Sequence, residues 1–173
     1  MSYEKERNES ISLFRWLSLI LLLVLINGCA VLKDPEVEKK DSISNYQYVV
    51  IPSTGDLISS TGSVYGGEYG TYGGSVTKEV NPGDVIEGIL LKKGYTSLNG
   101  VRSEILDKTL IVKYGESGKR VVAGGLGGYT LEVTIILIDA KTYDTIYSCT
   151  AEGQGSTEAD DIREAITRCL SGL

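Results

Sequence analysis

Between residues 129 and 140 the chain reads YTLEVTIILIDA. Leu131, Val133, Ile135 and Leu137 recur at a period of two on one face, while Thr130, Glu132 and Thr134 begin the other. Such a strand needs a layer over its apolar face. Ile136 and Ile138 replace polar residues further along the second face, so the far end of the strand is expected to be covered on both sides.

A helix is available to cover it. In STEADDIREAITRCL, Ser156 or Thr157 is placed to cap, and Glu158, Asp160 and Asp161 fall where a helix dipole favours anions. Ile162, Ala165, Ile166, Cys169 and Leu170 then make an apolar stripe at helical spacing. A second helix is expected in VNPGDVIEGILLKKG: Asn81 caps, Pro82 fits the first position, Lys92 and Lys93 close the last turn and Gly94 stops it. Gly88 costs this helix about 1 kcal/mol of propensity, and a close approach to the sheet is the expected reason. YQYVVIPS, Tyr46 to Ser53, and Tyr95 to Leu98 read as strands, KTLIVKYGESGKRVVAGG as a hairpin turning at Glu116 to Gly118, and DAKTYD as a turn into TIYSCTAEG. The order strand, helix, antiparallel strands, helix predicts an α+β domain over 46–173: an antiparallel (mixed) sheet with two helices packed on one face.

The amino end carries a different signal. Arg15 precedes an apolar run from Trp16 to Ile26, broken only by Ser18. That run is far short of the roughly 20 residues that span a bilayer and suits the core of a secretory signal. It leads into INGC, with Gly28 directly before Cys29. This resembles the lipobox of bacterial lipoproteins, and the resemblance implies cleavage after residue 28, acylation of the Cys29 sulfur and stable anchoring by two or three acyl chains. Ala30 at the second mature position implies, by the same resemblance, the outer membrane and a domain facing the periplasm. Residues 29–45, with charges of both signs and no apolar periodicity, read as a flexible tether.

Further motifs carry a weaker likeness. Tyr46 and Tyr48, Lys93 to Tyr95, Asp139 with Lys141 and Thr142, and Gly153 to Gly155 resemble the pattern of a broad group of small envelope lipoproteins. Similar sheet-and-helix domains occur in the periplasmic TolB amino-terminal domain and in lipoprotein activators of penicillin-binding proteins, where the role is protein contact. Tyr143 stands where the hairpin of that group commonly has glycine.

Composition removes several chemistries. The chain of 173 residues has no histidine, and therefore no imidazole base, nucleophile partner or metal ligand. A net charge of -6 disfavours nucleic acid. GESGKR lacks the spacing of a phosphate loop, and GGLGG lacks the following helix of a dinucleotide fingerprint; no cofactor or metal is expected. Cys149 and Cys169 would lie in an oxidising compartment, but with Cys149 near the end of its strand the helix would carry Cys169 past it, so a bridge is not expected.

One segment invites a binding role. SVYGGEYGTYGGS lies in a connection of about 26 residues between the first strand and the first helix, longer than unstructured loops in compact domains usually run. Tyr65, Tyr69 and Tyr72 offer rigid aromatic area for an envelope protein or glycan partner. The alternative is a mobile insertion or a flat glycine-rich hairpin whose tyrosines pack locally. The expected function is thus a non-enzymatic, lipid-anchored binding or scaffolding module, meeting the membrane through its amino-terminal acyl chains. The rivals are an enzyme using carboxylates such as Asp139, Glu152 or Asp160 on envelope polymers, and a carrier of a small apolar ligand.

Overall fold

A computed structural model describes residues 32–40, 42–52, 57–67, 70–122 and 128–173, with backbone alone for 57–67 and 70–77. The domain is α+β. Strands β1 (Glu36–Lys39), β2 (Tyr48–Val50), β5 (Thr96–Leu98), β6 (Thr109–Val121), β7 (Tyr129–Asp139) and β8 (Thr145–Gly153) form one mixed sheet in the order β1-β8-β7-β6-β2-β5. β1, β8, β7 and β6 pair antiparallel in succession, whereas β2 is parallel to both β5 and β6. Strands β3 (Leu57–Gly67) and β4 (Gly70–Val80) pair with each other as a separate ribbon. Helices α1 (Pro82–Lys92) and α2 (Glu158–Ser171) complete the domain.

The alternation in β7 becomes the floor of the core. Leu131, Val133, Ile135 and Leu137 are all buried, and in β8 Ala151, Cys149 and Tyr147 lie opposite the last three. Ile162, Ala165, Ile166, Cys169 and Leu170 of α2 cover them, joined by Ile86 and Leu90 of α1 in one cluster. Each fully buried aliphatic side chain contributes about 1.5–3 kcal/mol, so this interface dominates the stability of the domain. Both helix starts follow from capping chemistry: Asn81 Oδ1 accepts from the Gly83 and Asp84 amides, and the Thr157 side chain accepts from the Asp160 amide. Gly153 sets how closely α2 approaches the sheet, because a Cβ there would overlap the Asp161 carbonyl oxygen. On the second face of β7, Ile138 is buried and Ile136 half-buried, in keeping with a covered far end.

Several elements depart from expectation. The stretch read as a tether over 29–45 contains a strand: β1 pairs with β8 from Glu36 opposite Thr150 to Lys39 opposite Tyr147. Backbone hydrogen bonds to an open sheet edge require no apolar side chains, and all of β1 is exposed. The first strand shrinks to Tyr48–Val50. The turn expected at Glu116 to Gly118 is a bulge inside β6, where the register with β7 shifts and Ser117 is left without a partner residue. Pairing with β7 continues through Lys119, Arg120 and Val121, so long-range sheet formation overrides the local turn chemistry. Gly88 is not a point of close approach, since a Cβ there would meet nothing within 4 Å.

Cys149 and Cys169 form a disulfide with a Cα–Cα distance of 5.5 Å, against expectation. Cys149 sits in the middle of β8, four residues before the strand ends. Those residues measure about 13 Å and the eleven helical steps from Glu158 to Cys169 about 16 Å, so the returning helix brings the two sulfurs level. Beyond the Asp139 end of β7, Tyr143 occupies the left-handed region with φ of 63°, a conformation that glycine adopts without the cost of a Cβ.

The chain divides into two compact units, one of Leu32–Val121 with Tyr129–Leu173, which is the domain above, and one of Met1–Val31 with Val122–Gly128. In the second, Val122 donates its amide to the Gly128 carbonyl at 3.0 Å, and Gly128 has a positive φ of 75°.

Candidate functional site

Cys29 and Tyr69 lie outside the described residues. Tyr65 and Tyr72 stand opposite each other in the β3–β4 register, so the glycine and tyrosine segment forms a paired ribbon rather than an irregular loop. Its base is fastened to the domain. Lys78 places its ammonium 2.7 and 2.8 Å from the two carboxylate oxygens of Asp160 in the first turn of α2.

A cluster that sequence reasoning missed lies where the chain joins the domain. Glu152, next to the end of β8, is almost wholly buried. Arg120, across the small side chain of Thr130 on β7, grips it with Nε 2.7 Å from Oε1 and Nη2 2.6 Å from Oε2. The Lys33 amide donates to Oε2 at 3.1 Å. Arg168 of α2 then bridges backbone to backbone, its Nη1 donating to the Glu152 carbonyl and its Nη2 to the Lys33 carbonyl, each at 2.6 Å. The Arg120 guanidinium, helped by the Lys33 amide and charge, outweighs the effect of burial and holds the Glu152 carboxyl down to about 2. Glu152 is therefore an anion at neutral pH, and its two oxygens are already engaged. It works as a clamp: the chain is seized at Lys33, threads along β8 as β1, and is seized again where the Lys40 amide donates to the Ile146 carbonyl at 3.0 Å.

The three carboxylates named for an enzymatic alternative are each engaged by a different partner: Asp139 by Tyr46, Asp160 by Lys78 and Glu152 by Arg120. Asp139 accepts from the Tyr46 hydroxyl at 2.6 Å and from the Lys141 and Thr142 amides at 2.6 and 2.8 Å; against the effect of burial, these bonds lower its pKa. Asp160 is lowered chiefly by Lys78 and then by the Ser156 hydroxyl. Glu152 lies opposite Glu132, seven residues along β7 from Asp139, a separation of about 23 Å. Asp161, one of the anions expected in the first turn of this helix, is buried, and burial raises its pKa against the lowering effect of the hydrogen bond that it accepts from the Gly155 amide. Two clefts of about 400 and 340 Å³ flank Asn81 and Asp84, the first also lined by Glu79 and Arg163, the second by Glu87 and Ser97. Neither is lined by Asp139, Glu152, Asp160 or Asp161.

The signals that could have revealed the clamp are faint. Arg120, Glu152 and Arg168 are ordinary surface residue types, and Lys33 contributes through its backbone. No protein-family model matches the chain, and no curated protein and no solved structure shows a significant similarity to it.

Proposed function

We propose that the protein is a lipid-anchored, non-catalytic envelope module, attached through Cys29 to the inner leaflet of the outer membrane. Its domain makes contacts with an envelope protein or glycan. The observation that carries this reading is the buried Cys149–Cys169 disulfide. A buried structural disulfide belongs to a chain folded in an oxidising compartment, which supports export. It also engages two of the three cysteines, leaving Cys29, in its lipobox-like setting, as the odd one. Anchoring restricts the domain to a surface and raises its effective concentration for neighbours there.

Metabolic labelling with a fatty-acid analogue tests the anchor. Label is expected on the native chain and absent from Cys29→Ser. A soluble, unacylated chain with an amino terminus other than Cys29 would overturn the reading. In-cell crosslinking of the native chain and of a Tyr65→Ser, Tyr69→Ser, Tyr72→Ser variant tests the contact. Loss of a captured envelope neighbour in the variant places the ribbon in the interface, and an identical neighbour set removes that role.

A further inference from the structure

The two clefts beside the start of α1 adjoin, since Asn81 and Asp84 line both. The one of about 340 Å³ lies where parallel strands end: Ile51 and Pro52 directly follow β2, Leu98 is the last residue of β5, and Asn99 comes next. From β2 the chain passes through the ribbon and α1 to reach β5 on one side, and then places β6 on the other. A reversal of this kind leaves a crevice outside the carboxyl ends of the strands, and open α/β sheets bind their ligands there. The cleft of about 400 Å³ reaches from Asp84 to Glu79 and to Arg163 of α2. Each volume falls within the range of small-ligand sites.

Charge sets this trough apart. Elsewhere in the domain opposite charges close into ion pairs: Lys78 with Asp160, Lys119 with Glu158, and Arg120 with Glu152. Arg163 and Glu79 border one cleft without doing so. Among the described residues, the side chains of Glu79, Asp84, Glu87 and Arg163 make no hydrogen bond and no ion pair. The first amides of α1 are already taken, because the Asn81 side chain accepts from Gly83 and Asp84. Recognition therefore falls to side chains: a cation from α2 in the first cleft, and two carboxylates on one side of α1, Asp84 and Glu87, in the second.

We propose that the trough binds a short zwitterionic peptide, its carboxylate paired with Arg163 and its ammonium with Asp84 and Glu87, beside the apolar Ile51 and Leu98. A ligand with both charges satisfies both walls, whereas one with a single charge leaves the opposite wall unpaired. A peptide is assigned over a free amino acid because Arg163 lines only the first cleft and Glu87 only the second, and the two charges of an amino acid share one carbon. The site needs neither the acyl anchor nor the tyrosines of the ribbon, so it stands or falls separately from the anchoring reading.

Titration calorimetry of the full chain in detergent micelles, with tri-alanine, its N-acetyl form and its carboxyl-terminal amide, tests the assignment. Tri-alanine is expected to bind, and blocking either end should weaken binding about tenfold, the worth of one charge-assisted hydrogen bond. Arg163→Gln, at an exposed position, should erase the difference between tri-alanine and its amide while the preference for a free amine survives. Glu87→Gln should do the converse and narrow the difference between tri-alanine and its N-acetyl form. Asp84 is left in place because it lies in the first turn of α1, where a negative charge supports the helix. Each comparison is made within one variant, so a general loss of stability cannot imitate it. No binding of tri-alanine, equal binding of its three forms, or putrescine bound as tightly as tri-alanine overturns the proposal, the last leaving an acidic patch alone.

Discussion

The two ends of the central strand use the same chemical group for different purposes. At the Asp139 end the carboxylate takes two amides from residues 141 and 142 and closes a turn. At the other end, beside Glu132, the Glu152 carboxylate takes a bidentate arginine and an amide 119 residues away in sequence, and so fastens a distant segment to the domain. A carboxylate bonded to its own loop shapes the chain locally. One bonded across the sheet decides which part of the chain belongs to the domain.

The largest expected effect is one that should not distinguish the ends. The disulfide lies between them, with Cys149 opposite Ile135, and closes a loop of sequence separation 20. Replacing both Cys149 and Cys169 by Ala should cost about 3 kcal/mol in denaturant unfolding, with both ends destabilised together. Protection lost at only one end would contradict a shared core.

Glu152→Ala should cost about 2 kcal/mol, because the charge-assisted bonds vanish and Arg120 loses its partner. Hydrogen exchange should then show the amides of Lys33 and β1 opening while those of Lys141 and Thr142 stay protected. Asp139→Ala should cost about 1.5 kcal/mol and give the reverse pattern, since the Tyr46 bond and two turn amides are lost.

Acid should reproduce part of the Glu152 effect without mutation. The folded-state pKa of Glu152, about 2, lies below its ordinary 4.5, so the clamp contributes fully above about pH 4.5 and is lost as pH falls through about 2. The stability of Glu152→Ala should therefore fall less steeply across that window than that of the native chain. Parallel profiles would show that the carboxylate is not held by Arg120. The smallest effect is a gain. Tyr143→Gly relieves a left-handed backbone worth about 1 kcal/mol, partly offset by the entropy of glycine, for a net rise of about 0.5 kcal/mol visible in Tm.

Legibility followed the same division between near and far. The cap at Asn81, the α2 stripe and the β7 alternation lie in contiguous residues whose spacing is set by the helix and strand periods, and each is where the residues placed it. The β6 bulge was less legible: turn-forming residues at 116–118 compete with pairing to β7, and only the sheet decides that contest. The ribbon at 57–80 also escaped a definite reading, because glycine, serine and tyrosine give weak alternation.

By itself the sequence determined an α+β domain with two capped helices, because caps and periodicity act over a few residues. The tertiary structure alone decided that Glu36–Lys39 belong to the sheet, that Cys149 meets Cys169, and that Arg120, Lys33 and Arg168 converge on the Glu152 residue. Each of these joins segments distant in the chain through backbone, sulfur or charge. Such partners are set by which residues the packed sheet and helix bring level, and local spacing carries no record of them.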